Sequence, residues 1–289
     1  MKALLKNTYI KYLNNKYNRK YNDKYEKKQI LDKTFLLRKN SIKESNDYDY
    51  AWLLFLGINS KIIYDVGCNV GQSSILLYYN NNSKKIVLIE PNPFALSLAA
   101  ENIIINNLSE QTTFISKAAS NTSGDKVKLW GIAHFSGRSI LQDFSESGNL
   151  TNNSTLVTTT TLDDIYSRDQ LLPDLIKIDV EGAEVLVLEG STKIASNKQT
   201  KFFVEVHSSN RLSIIDNTQK ILDWCKKNNY KAFYLSEHIE LKDSNYIKHR
   251  GRYHILLLPK EKEYPKGLSN IKQGADFNEI KSEYYSEIV

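Results

Sequence analysis

Residues 61–72 read KIIYDVGCNVGQ. Lys61 to Val66 is a short apolar run that ends at Gly67, and Gly71 follows. An apolar run of that length bounded by glycine predicts a buried strand, a tight turn and a helix. The two glycines let the backbone bend and let a ligand approach closely. The pattern repeats downstream. KIVLIE at 85–90 reads as a second buried strand, and Pro93 suits the first turn of a helix running to about Asn107.

Outward from this core the alternation continues. Strands are expected at 112–116, 174–179, 201–206, 231–235 and 253–258. Helices are expected at 47–58 (amphipathic), 72–79, 162–166 (one helical turn), 182–188 and 214–229. Alternating elements with uniformly apolar strands predict a sheet covered on both faces. The last strand follows its predecessor by a short link, which favours an antiparallel pairing. The expected fold is α/β and Rossmann-like, a doubly wound, mostly parallel seven-stranded sheet with an antiparallel last strand. Residues 120–160 change character, being rich in Ser, Thr, Asn and Gly with strand-like pieces at 126–130 and 155–160. They read as a variable, substrate-side insertion. The domain is expected to span 47–262, between an arm at 1–46 and a polar tail at 263–289.

With 289 residues, 41% hydrophobic and 25% charged, the chain can bury a full core and is not a disordered polymer. Its two cysteines, Cys68 and Cys225, exclude a disulfide framework and fit a reducing compartment. The net charge of +6 suggests an acidic partner until it is located. Residues 1–28 hold nine Lys/Arg against two Asp/Glu, whereas the remainder holds 30 against 31. The excess therefore lies in a basic arm interleaved with tyrosines, and the body is neutral. That arm reads as a solvated extension or as a tether to an anionic surface. No signal-type apolar run follows Met1, and no stretch is long enough to span a bilayer, so a cytoplasmic protein is expected.

In open α/β sheets, ligands bind outside the carboxyl ends of the strands at the switch point. The loop at 65–72 sits there. Glu90 ends the next strand, 25 residues after Asp65, where an acid accepts hydrogen bonds from two ribose hydroxyls. A dinucleotide fingerprint is absent, because Asn69 and Gln72 stand where its second and third glycines belong. A pyrophosphate would be repelled by Asp65, whereas a sulfonium ligand with an α-ammonium group would be attracted. The pair Asp65 and Glu90 therefore favours S-adenosylmethionine.

These residues resemble the FkbM-type methyltransferases. YDVGCNVGQSS (64–74) resembles the family's first motif and IEPNPFALSLAAENIIINN (89–107) its second. AAS (118–120), TLDDI (161–165), LIKIDVEGAEVLVLEG (175–190) and VEVH (204–207) follow in the family's order and spacing. The resemblance covers roughly 50–210 and implies a class I methyltransferase fold with methyl transfer from S-adenosylmethionine to oxygen, often on sugars. By motif, Asp65, Gly67, Asn69 and Gly71 would flank the methionine and ribose, Glu90 would hold the ribose, and Asn92 and Ala119 would lie near the adenine. Cys68 departs from the family's usual Ala at no steric cost.

An alcohol acceptor must lose a proton near the transition state, so a base is expected. Asp179 and Glu181 end the fourth strand. Glu205 and His207 end the fifth, on one side of it by strand alternation. His207 has the best ordinary pKa for the task, with Asp179 or Glu181 orienting it or binding the acceptor. Glu184 reads as a helix-start charge. Asp179, Glu205 and His207 could also converge on a divalent cation, a reading not favoured because no tight ligand spacing is present. Arg138, in the irregular region with His134, suits either an acidic acceptor or a surface ion pair. His238, His249 and His254 read as structural or exposed.

The expected function is an S-adenosylmethionine-dependent O-methyltransferase acting on a sugar, glycan or glycosylated small molecule. The competing readings are an RNA methyltransferase that grips RNA with the basic arm, and a non-catalytic tethered relative. The neutral body weighs against the first, as does IDVEG where a base-nitrogen methylase would carry Asn/Asp-Pro-Pro-aromatic.

Overall fold

The computed structural model describes residues 11, 24–39, 41, 49–79, 83–131, 138–142, 153–209, 212–248, 251–276 and 280. Most of the basic arm, with His134 and His249, lies outside the described residues.

The strand read at 61–66 is Ile62–Val66, and the next is Lys85–Ile89. In chain order the strands are β1 (Tyr25–Ile30), β2 (Lys33–Arg38), β3 (Ile62–Val66), β4 (Lys85–Ile89), β5 (Thr112–Ile115), β6 (Ala118–Ala119), β7 (Lys126–Trp130), β8 (Ser154–Thr160), β9 (Leu175–Ile178), β10 (Lys201–His207), β11 (Tyr230–Tyr234), β12 (Ile239–Glu240) and β13 (Arg252–Pro259). The helices that matter here are α1 (Tyr50–Ile58), α2 (Gln72–Leu77), α3 (Pro93–Ile105), α4 (Leu162–Asp169), α5 (Glu184–Glu189), α6 (Thr192–Ser196), α7 (Ile214–Asn228) and α8 (Lys266–Ser269).

The main sheet has the order β12-β11-β13-β10-β9-β3-β4-β5. Strands β10, β9, β3, β4 and β5 pair in parallel, while β13 runs antiparallel between β10 and β11. The expected seven strands become eight, because the short β12 pairs antiparallel with β11 at the edge. Both faces are buried, as the apolar strands require. Along β3, Ile63 joins one core, while Tyr64 and Val66 join the other. The chain leaves β3 toward β4 and β5 on one side and returns to β9 and β10 on the other. The switch point therefore lies between β3 and β9, and the cleft opens at the carboxyl ends Val66 and Ile178.

Three segments differ from the sequence expectation. Residues 25–38, assigned to the arm, form the antiparallel hairpin β1–β2. Ile30, Phe35 and Leu37 of this hairpin are buried in the core. Asn102 and Asn106 on α3 clamp its edge, accepting from the Arg38 and Leu36 backbone N–H groups at 2.8 and 2.9 Å. The tail also contributes, since Leu268 and Ile271 are buried and the Trp52 indole donates to the Ile271 carbonyl at 2.7 Å. Every residue from Tyr50 to Gly57 is buried, so α1 is not the amphipathic helix expected, and α8 of the tail packs against it.

The 120–160 region forms a three-stranded sheet of order β6-β8-β7 with its own small core of Ala118, Leu129 and Val157. Cys68 and Cys225 are both buried free thiols. Among the described residues no helix is long and apolar enough to cross a membrane.

Candidate active site

The turn after β3 is built on close approach. Gly67 has φ +76°, and a Cβ there would lie 1.8 Å from the Asp179 carbonyl oxygen. The loop thus rests directly on the end of β9, which only glycine allows. Gly67 N–H donates to the Ile89 carbonyl at 2.8 Å, locking the loop to β4. Asn69 takes the left-handed conformation (φ 48°), and its N–H donates to Glu90 Oε2 at 3.0 Å. The Asn92 N–H donates to Glu90 Oε1 at 2.8 Å. Both oxygens of the Glu90 carboxyl are held by backbone, so its position is fixed before any ligand arrives. Burial pushes its pKa up to about 7, against the two N–H groups that favour the charged form.

Glu90 lines an open cleft with Gly67, Asn69, Asn92, Ala118, Ala119, Leu129, Asp179 and Glu181. Arg138 also lines it, and its buried Nε has no hydrogen-bond partner among the described residues. Arg138 makes no ion pair with the described residues. Its Nη2 donates to the Leu129 carbonyl at 3.0 Å and to Thr155 Oγ1 at 3.1 Å.

The acidic residues after β9 belong to a network. Glu181 and Gly182 follow β9 with φ of 52° and 97°. This reversal, costly for a non-glycine residue, turns Glu181 into the cleft. Ser139 Oγ donates to its carbonyl at 2.7 Å. His207 Nδ1 lies 2.9 Å from Glu184 Oε1, and its Nε2 lies 3.4 Å from Glu181 Oε2 and 3.9 Å from Asp179 Oδ1. Burial disfavours the imidazolium, yet the hydrogen bond and charge of Glu184, with Asp179 and Glu181, outweigh it and push His207 up to about 10. Burial likewise raises Asp179, with Lys177 opposing.

A model of the methyltransferase FkbM domain matches residues 65–232, more than half of the chain. The chain belongs to the FkbM methyltransferase family. No curated protein matches it. Among solved structures it is similar to the methyltransferase FkbM from Methylobacillus flagellatus KT, at 17% identity and a TM-score of 0.43 over 69% of this chain and 43% of that one. The chain thus spans less than half the length of that relative. It is also similar to the SAM-dependent methyltransferase from Agrobacterium tumefaciens (11% identity, TM-score 0.45, 82% and 71% covered). A third likeness is to the O-methyltransferase from Bacillus cereus in complex with SAH (13% identity, TM-score 0.42, 74% and 81% covered).

In this FkbM chain most of the motif residues converge. Gly67, Asn69, Glu90, Asn92 and Ala119 line one cleft with Asp179 and Glu181. Two do not reach it. Asp65 is fully buried behind the loop. Its Oδ2 accepts from the hydroxyls of Ser73 (2.8 Å) and Ser74 (2.6 Å) at the start of α2, so it holds the scaffold rather than a ligand. Gly71, at φ +83°, is packed against Ala99 of α3. The Asn92 side chain is committed as the N-cap of α3, accepting from the Phe94 N–H. His207 stands behind Asp179 and Glu181, outside the cleft-lining set.

Three participants stand outside the site in the sequence reading. Lys177, only 5% exposed, donates to the Gly67 carbonyl at 2.9 Å and pairs with Asp65 and Asp179. A lysine inside the apolar strand LIKI is its one sequence signal. Glu184 is fully buried on His207 and not a mere helix-start charge. Asn217 donates to Glu184 Oε2 and to the His207 carbonyl, and nothing in its α7 sequence marks it.

Proposed function

We propose that this chain binds S-adenosylmethionine and transfers its methyl group to a hydroxyl of a sugar, glycan or glycosylated small molecule. The observation that carries the reading is that two carboxylates, Asp179 and Glu181, line the same cleft as the backbone-clamped Glu90. When bound, the cofactor supplies a methyl group already activated on a sulfonium sulfur. Glu90 accepts from the ribose hydroxyls. The small side chains Ala118 and Ala119 leave room for a flat ring. Asp179 and Glu181 hold the acceptor hydroxyl in line with the methyl group, where proximity supplies much of the rate, and one of the two takes its single proton. His207 is a positioning residue, keeping these two carboxylates in place from behind.

The test is a cofactor-dependent methyl-transfer screen over free sugars, lipid-linked glycans and glycosylated small molecules, read by mass spectrometry. A mass gain of one methylene on an acceptor oxygen, lost in Glu181→Gln, is the expected result. Transfer only to nitrogen or carbon acceptors, or to RNA, would overturn the acceptor class.

A further inference from the structure

We propose that Asp179, Glu205 and His207 form a binding site for a divalent cation of the Mn²⁺ kind beside the cleft, which Asp179 also lines. One ligand atom from each of the three lies within 4.8 Å of the others. Donors bound about 2.1 Å from a hard cation sit roughly 3–4 Å apart, so a small contraction closes the set.

The arrangement of each donor supports this. His207 is only 6% exposed. Its Nδ1 is committed to Glu184, which is itself fixed by the Gly182 N–H at 2.7 Å and by Asn217 Nδ2 at 3.2 Å. That carboxylate–imidazole pairing orients the ring as metal-bound histidines are oriented. It leaves Nε2 facing the acids, with no hydrogen bond to any described residue. Asp179 is divided in the same way. Lys177 takes Oδ2 at 3.3 Å, while Oδ1 faces His207 Nε2 at 3.9 Å. Glu205 Oε1 faces the same nitrogen at 3.7 Å.

A second buried histidine stands beside this group. His254 is 8% exposed, its Nε2 makes no hydrogen bond among the described residues, and it stands 3.6 Å from both Glu205 Oε2 and Asp49 Oδ2. It faces the far oxygen of Glu205 and leaves the near one for a ligand. Arg252 reaches Oε1 at 3.2 Å from a side chain that is 61% exposed, so water can solvate it when a cation takes its place. Two carboxylates and one imidazole suit Mn²⁺ or Mg²⁺ with several open positions. Asp179 reaches both this site and the cleft. An acceptor hydroxyl bound to the cation would lose its proton more readily. That role rests on the O-methyl reading, whereas the binding site does not.

The experiment uses the full chain stripped with a chelator, without cofactor or acceptor. Mn²⁺ is titrated and followed by calorimetry and by the spin resonance of free Mn²⁺. One ion per chain is expected, with at least tenfold weaker binding in Glu205→Gln and His207→Asn, and no change in Glu240→Gln. Spin-echo modulation of Mn²⁺ bound to the unaltered protein reports a coordinated imidazole nitrogen whether or not the variants fold. No saturable binding at millimolar Mn²⁺ by the folded protein, or bound Mn²⁺ without nitrogen modulation, overturns the site. Methyl transfer that persists undiminished in chelator removes the cation's role and leaves the O-methyl reading standing. Clear Mn²⁺ binding with no transfer to any hydroxyl counts against that reading alone.

Discussion

Lys177 and Asp65 are register partners on the parallel strands β9 and β3, and their charged ends lie 3.4 Å apart with almost no solvent access. The same ammonium donates to the Gly67 carbonyl, so one buried cation joins the central strand, the cofactor loop and Asp179. Burial opposes its charge, but Asp179, Asp65 and Asp49 outweigh burial and hold its pKa above the ordinary lysine value.

Lys177→Met should therefore cost more than a hydrogen bond. It leaves Asp65 with only two serine hydroxyls in a fully buried site, and breaking such a pair costs roughly 3–5 kcal/mol. Urea unfolding should show a loss of that size, with weakened cofactor affinity because the loop is released. Asp65→Asn in the same chain should recover part of the stability. A strictly additive double variant would show that the two residues are not coupled.

Gly67→Ala and Gly124→Ala separate conformational strain from close approach. Both positions have positive φ, +76° and +91°, so each substitution carries roughly 1–2 kcal/mol of strain. Only at Gly67 does the new carbon meet backbone, whereas Gly124 faces open space. Cofactor binding measured by calorimetry should collapse in Gly67→Ala and stay within about twofold in Gly124→Ala. Equal binding by both variants would show that the loop does not rest on Asp179.

Lys84 predicts stability without function. Its ammonium donates to the carbonyls of Gly57, Leu77 and Tyr79 at 2.7, 3.0 and 3.0 Å. It therefore satisfies the carboxyl ends of α1 and α2 together, where cations are favoured. Lys84→Met removes the ammonium donor from all three carbonyls. A loss of about 2–4 kcal/mol is expected in chemical unfolding, with cofactor affinity unchanged in the fraction that remains folded.

What the sequence made legible follows from what is local. The order of strand, glycine turn and helix around 61–77 is set by short-range pattern, and so is the position of Glu90 at a strand end. The motif residues that present backbone or a strand end to the cleft, Gly67, Asn69, Glu90 and Asp179, were therefore readable. Asp65 was not, because the choice between facing the cleft and facing α2 depends on Ser73, Ser74 and Lys177 together. The hairpin at 25–38 was hidden by its charge. Its alternate residues Phe35 and Leu37 are buried while their neighbours are half-buried or exposed, and a hairpin that carries Lys27, Lys28, Lys33 and Arg38 reads as a solvated arm. His254 looked structural because its partners, Glu205 and Asp49, are distant in sequence.

Glu90 gives the pH prediction. Its ordinary pKa is 4.5 and burial raises it to about 7 in the folded chain. Below about 4.5 both folded and unfolded chains are protonated there. Between the two values the unfolded chain has lost the proton and the folded chain has kept it. Its contribution to stability is thus fully present below about 4.5 and is lost as pH rises through about 7, a change on the order of 3 kcal/mol. Cofactor affinity should move the opposite way, since the carboxylate accepts two ribose hydroxyls and the protonated group only one without competition. Unfolding and calorimetry from pH 5 to 8 should show stability falling as affinity rises. Glu90→Gln should flatten both slopes at lower affinity. An affinity that rises as steeply in Glu90→Gln as in the unaltered chain would assign the pH response to another group.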